Sequence, residues 1–131
     1  MNTLSKKIIC TAAILGLTAI VLGAFGAHAL KKVLSPEQLT TFETGVKYQM
    51  YHALFLLFLA STNFIANNTK KIIFYVIVTG VILFSGSIYI LATSNLTGIN
   101  FKPIGILTPL GGLFLIAGWG AIIVKMINNK S

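Results

Sequence analysis

The chain has no arginine, one cysteine and only two acidic residues, Glu37 and Glu43, in 131 positions. Each scarcity excludes something. A single thiol, Cys10, rules out an intramolecular disulfide, and its place near the start of the first apolar run predicts a small buried group. Only 9% of residues are charged, against about a quarter in a soluble domain, so a solvated globular surface is excluded. The net charge of +8 comes from ten lysines. They form no basic stripe interleaved with aromatics of the kind that base stacking needs, which argues against nucleic-acid binding.

What is present is apolar: 56% of the residues are hydrophobic and the mean hydropathy is +0.89. That is the composition of an integral membrane protein whose immediate partner is the lipid bilayer. The lysines sit beside apolar runs, where long cationic side chains snorkel to headgroups. Residues 1–30 have the outline of a secretory signal, with Lys6 and Lys7 before an apolar run and Ala27-His28-Ala29 after it. The run from Ile8 to Leu30, however, is about 23 residues, too long for a signal core and enough to cross a bilayer. An uncleaved first span is expected.

The expected fold is all-α: an integral membrane antiparallel four-helix bundle in one domain, residues 1–131. Spans are expected at about 8–30, 46–66, 72–91 and 104–124, with a short amphipathic interfacial helix at about 36–45 between the first two. Ser35, Pro36 and Gln38 make a capping box that starts this helix at Pro36. Leu39, Phe42 and Val46 then share one face while Glu37, Thr41 and Lys47 point elsewhere. The helix either runs on into the second span or bends at Gly45. Asn67 to Lys71 reads as a tight polar turn, Thr93 to Lys102 as a polar loop and Lys125 to Ser131 as a short polar tail. Pro109 removes a backbone bond toward Gly105 and predicts a kink in the last span.

Small residues mark the packing faces, because transmembrane helices associate by close approach. Span one carries Ala12, Gly16, Ala19, Gly23 and Ala27, with Gly26 beside them. Gly45 lies in the second span, Gly80 and Gly86 in the third, and Gly112 leads a second small-residue surface in the fourth. Two such surfaces suggest that some packing is between molecules. Orientation follows from the lysines. Six lie on the side of the termini and the 67–71 turn, and four, Lys31, Lys32, Lys47 and Lys102, on the other, so both termini are expected in the cytoplasm.

The one long stretch that is not simply apolar runs from Gly23 to Leu57 and holds both histidines and both acids. Gly23-Ala24-Phe25-Gly26-Ala27-His28-Ala29-Leu30, followed by Phe42-x-Thr44-Gly45-Val46-x-Tyr48-Gln49-x-x-His52-Ala53-Leu54, resembles the small membrane-protein family typified by YgdD and YwdK, a domain of unknown function. The resemblance covers nearly the whole chain. It implies a four-helix protein of the bacterial cytoplasmic (inner) membrane, and it brings no established activity with it.

The candidate polar cluster is His28, Glu43, Tyr48, Gln49 and His52. Polar groups in hydrocarbon are costly unless paired, so an intramembrane histidine is a functional candidate. Four readings compete. In the first, the histidines bond to each other, to Gln49, to Tyr48 or to local backbone, and lock the first hairpin. In the second they ligate a metal or haem, but Glu43 is the only third ligand in reach and Cys10 is at the far end of span one, so no cofactor is expected. In the third, Glu43, His52 and His28 relay protons in a small channel or transporter, although no inverted repeat is visible. In the fourth the chain is an enzyme, but no serine has an identifiable base. The expectation is a non-enzymatic structural or interaction protein, a homo-oligomer or an accessory subunit of a membrane complex, with the channel or transporter as the alternative.

Overall fold

The computed structural model describes residues 2–99 and 102–128, except for the side chain of Lys102. Asn100 and Phe101 in the expected polar loop, and residues 129–131 of the tail with Lys130, lie outside the described residues. All the regular structure among the described residues is helical, with no strand. In chain order the elements are α1 (Thr3–Val21), a π-helical turn (Leu22–Gly26), α2 (Ala27–Leu30), α3 (Pro36–Ser61), α4 (Asn67–Ala92), α5 (Ser94–Thr97), α6 (Lys102–Gly105) and α7 (Leu107–Asn128).

Three stretches are long and apolar enough to cross a membrane: Thr3–Leu30, Asn67–Ala92 and Pro103–Asn128. The fourth long helix, α3, has the same 26 residues as α4 but carries Glu37, Glu43, Lys47, Gln49 and His52 along its length. The long helices pack in an open series: α1 on α3, α3 on α4 and α4 on α7. Among the described residues, the α7 backbone comes close to neither α1 nor α3, and α7 meets α3 through side chains alone. Ile8 of α1, Leu56 and Leu59 of α3 and Ile73 and Ile77 of α4 fill the centre, with Leu115 of α7 joining from the side.

Local sequence explains most of the boundaries. Asn2 caps α1, its side chain accepting from the Ser5 amide at 2.7 Å. At Ser35 the capping box is complete: the Gln38 amide donates to Ser35 Oγ at 3.1 Å and the Ser35 amide to Gln38 Oε1 at 2.9 Å. Of the two expected alternatives the helix runs on: the connector and the following span are one unbroken helix from Pro36 to Ser61. Gly45 does not bend it. That glycine is buried against Ile88 and Tyr89 of α4, where an added Cβ would come within 2.7 Å of the tyrosine ring. Its cost to the helix is offset by the close packing its missing side chain allows.

The polar stretch from Asn67 to Lys71 is the first turn of α4, and the chain reverses before it, at residues 62–66. Cys10, expected to be buried, is exposed on α1. The polar loop contains a one-turn helix, α5, closed by Gly98 at φ 74°, a left-handed position that glycine adopts without strain. The break between α6 and α7 falls at Ile106, where Pro109 supplies no amide for the Gly105 carbonyl.

Candidate functional site

Gln49 and His52 are three residues apart on α3. This places both on the inward side of one helix turn. Gln49 is 5% exposed and His52 4%, so each must find its hydrogen bonds within the protein. Gln49 reaches two neighbours at once. Its amide nitrogen donates to the Leu15 carbonyl at 2.9 Å and to Thr18 Oγ1 at 2.7 Å, both on α1. Its carbonyl oxygen accepts from the Tyr89 hydroxyl of α4 at 2.7 Å. One side chain thereby ties three helices together.

His52 makes the fourth connection. Its Nδ1 lies 2.7 Å from the Tyr48 carbonyl one turn back, and its Nε2 lies 3.0 Å from the indole Nε1 of Trp119 on α7. A carbonyl only accepts and an indole N–H only donates, so the ring is satisfied as the neutral Nδ1–H tautomer. A second proton at Nε2 would face the tryptophan N–H. The rings meet edge to face at 6.0 Å, and Phe55 closes on Trp119 at 4.6 Å. Trp119 is half exposed and bridges a groove between α3 and α7, whose two apolar hollows measure about 320 and 490 Å³. Ser85 Oγ of α4 donates to the buried Gly45 carbonyl at 2.8 Å, and Ser87 of α4 bonds to Thr108 of α7. Among the described residues, every buried side-chain nitrogen and oxygen has a partner.

The expected cluster is therefore brought together only in part. Gln49 and His52 belong to it, and Tyr48 contributes its backbone carbonyl while its ring packs on Phe84 at 5.0 Å. His28 and Glu43 do not join, since both are exposed and the His52 nitrogens are taken by Tyr48 and Trp119. In the π turn Ala27 donates its amide to Leu22, five residues back. Gly23 and Gly26 there face Val46 and Phe42 of α3, while His28 is exposed.

Trp119, Thr18, Ser85 and Tyr89 were absent from the sequence-derived cluster. Trp119 carried a usable signal: it is the only tryptophan, and its N–H, held within an apolar run, needs an acceptor. The glycines sort in the same way. Gly16 lies against Ala53 and Met50, Gly80 against Leu115, and Gly112 is 3.8 Å from the Phe84 ring, whereas Gly86 meets nothing within 4 Å. Gly86 thus packs on no other helix among the described residues. The tightest α4–α7 approach is at Gly111 and Gly118, against Gly80, Phe84 and Ile77. Much of the two small-residue surfaces is used for packing inside one chain.

No group of three or more histidine, cysteine or acidic side chains converges among the described residues. Residues 22–112 match the family described as protein of unknown function (DUF423), a range that contains the π turn, α3, α4 and the Gly111 contact. YwdK of Bacillus subtilis, a UPF0382 membrane protein, is 38% identical over 127 residues, covering 93% of this chain and 97% of its own. YgdD of Escherichia coli K12, a UPF0382 inner membrane protein, is 37% identical over 130 residues, covering 96% and 93%. A UPF0382 membrane protein of Staphylococcus haemolyticus is 35% identical over 120 residues, covering 92% and 94%. No solved structure matches. Identity at this level along nearly full lengths, with apolar helices of membrane-crossing length, makes this chain a member of the DUF423 (UPF0382) family of bacterial membrane proteins.

Proposed function

We propose that the protein is a non-enzymatic structural or interaction component of the bacterial cytoplasmic membrane, and that its polar cluster is an interhelical lock. In this reading α3 is a fourth span, the four long helices alternate in direction, and both termini are cytoplasmic. One observation supports it most: Gln49 and His52 have their hydrogen-bonding groups engaged by α1, α4, α7 and their own helix, so neither has a group left for a ligand or a travelling proton. The protein then acts through contact, with further copies of itself or with a larger membrane complex.

The channel or transporter reading drew on His28, Glu43, Gln49 and His52. Against it stand the outward positions of His28 and Glu43 and the packed layer of Leu56, Leu59, Ile73 and Ile77 beyond His52. The test is the mass of the purified protein in lipid nanodiscs, paired with proton flux in proteoliposomes, for wild type and His52→Ala. The reading expects a defined mass above the monomer, lower thermal stability in the variant and no flux in either. A monomer whose His52-dependent flux exceeds that of empty vesicles would overturn it.

A further inference from the structure

The other end of the bundle holds a second polar feature that the lock does not use. Between the starts of α1 and α4 and the end of α3 lies an open cavity of about 740 Å³, with Asn2, Ser5, Thr62, Asn63, Asn67 and Lys70 among its lining residues. Lys70 is only 6% exposed. It is the fourth residue of α4, and helical side chains lean back toward the N-terminus, which carries its ammonium group toward this opening. Among the described residues, that group makes no ion pair or hydrogen bond.

The α4 side of the cavity is positive as well. Ala66, before α4, offers no side-chain cap, and the first turn contains no acidic residue. Among the described residues the leading amides of this 26-residue helix have no side-chain cap, and its start, at Ala66 and Asn67, lines the cavity with the positive end of the helix dipole. Lys70 and Lys71 sit on that same positive end, where a cation is disfavoured. Asn2, the cap of α1, adjoins through its amide, 3.5 Å from Asn67 Oδ1, so a second helix start opens at the same place. The end of α3 brings the negative end of its own dipole to the same opening, so the excess of positive charge there is that of Lys70 and Lys71. The chain has no acidic side chain besides Glu37 and Glu43, and Glu43 stands 18 residues before Ser61 on α3, about 27 Å of helix away.

We infer that this cavity is a binding site for a phosphate group, with Lys70 as its charged ligand and the Ser5 and Thr62 hydroxyls, the Asn63 amide and the α4 amides as further donors. Several donors around one cation, whose stem is buried and whose ammonium opens on the cavity, suit an anion with several oxygens. The lysine bias puts the site on the cytoplasmic side, at the membrane boundary, where the phosphate belongs either to a lipid headgroup or to a free phosphate.

The test measures thermal stabilisation of the full-length protein by inorganic phosphate in neutral detergent. In parallel, it measures stabilisation and lipid retention in nanodiscs of phosphatidylcholine with or without phosphatidylglycerol. Wild type, Lys70→Gln, Lys70→Arg and Lys71→Gln are compared. Lys70→Gln is expected to weaken the response about tenfold or more, the loss of a charge-assisted hydrogen bond. Lys70→Arg and the exposed Lys71→Gln are expected to keep it. A Lys70-dependent response to phosphate identifies a free phosphate, and one confined to phosphatidylglycerol identifies a headgroup. If wild type responds to neither probe, or Lys71→Gln loses as much as Lys70→Gln, the site is refuted. Should Lys70→Gln fail to fold, Ser5→Ala with Thr62→Ala decides: a response equal to wild type refutes the site.

Discussion

Gly111→Ala is the sharpest test of the packing, because nearby glycines supply its controls. A Cβ at Gly111 would press on the Phe84 amide nitrogen and lie 2.9 Å from both the Gly80 carbonyl oxygen and the Leu83 carbonyl carbon. All three are backbone atoms, which cannot rotate aside, so α4 and α7 must separate. A gap of 0.5–1 Å already forfeits about a quarter to a half of each dispersion contact along the seam. Overpacking costs about 1–3 kcal/mol, and a backbone clash belongs at the upper end, near about 3. Replacing a helical glycine returns about 1 kcal/mol, leaving a net loss of about 2. At Gly86 nothing lies within 4 Å, so alanine there should gain about 0.5–1 kcal/mol. At Gly112 the nearest atom is 3.8 Å away on the Phe84 ring, an ordinary contact, and alanine should be near neutral. The assay is reversible unfolding of the purified variants in mixed micelles. If Gly111→Ala and Gly86→Ala unfold together, the close α4–α7 approach is wrong.

Three further outcomes are expected. A double-mutant cycle between Trp119→Phe and His52→Ala should show coupling of about 0.6 kcal/mol and at most about 1.7, the range for interhelical bonds in membranes; zero coupling would deny the Trp119–His52 bond. Gln49→Leu should destabilise by about 1–3 kcal/mol, because it leaves the buried Tyr89 hydroxyl without its acceptor, while Glu43→Gln, at an exposed position, should stay within about 0.5 kcal/mol. Ser35→Ala should cost about 1 kcal/mol and speed amide exchange in the first turn of α3; unchanged protection there would mean that the capping box is not formed in the membrane.

Short-range chemistry was legible in the sequence. The capping box at Ser35, the start of α3 at Pro36, the break ahead of Pro109 and the membrane-crossing length of the apolar runs depend on residues within a turn or two of one another. The small-residue face of α1 was legible for the same reason, since a helix fixes which side chains share a side. Gln49 and His52 stood out because polar groups among apolar neighbours must be paired somewhere.

Where they are paired was settled only by the tertiary structure. Which acceptor lies opposite the Trp119 N–H depends on how α3 and α7 are both seated on α4, and those helices are 67 residues apart at this bond. In the π turn, Val46 and Phe42 fit over Gly23 and Gly26. Neither glycine shows this by spacing alone. Gly111 outranks Gly112, and Gly86 packs on nothing, because helix rotation about its own axis is set by the neighbour. The sequence by itself determined a helical membrane chain and which of its residues needed partners. The partners were decided by the relative rotation and depth of helices far apart in sequence, where contacts depend on distances in space that no local pattern encodes.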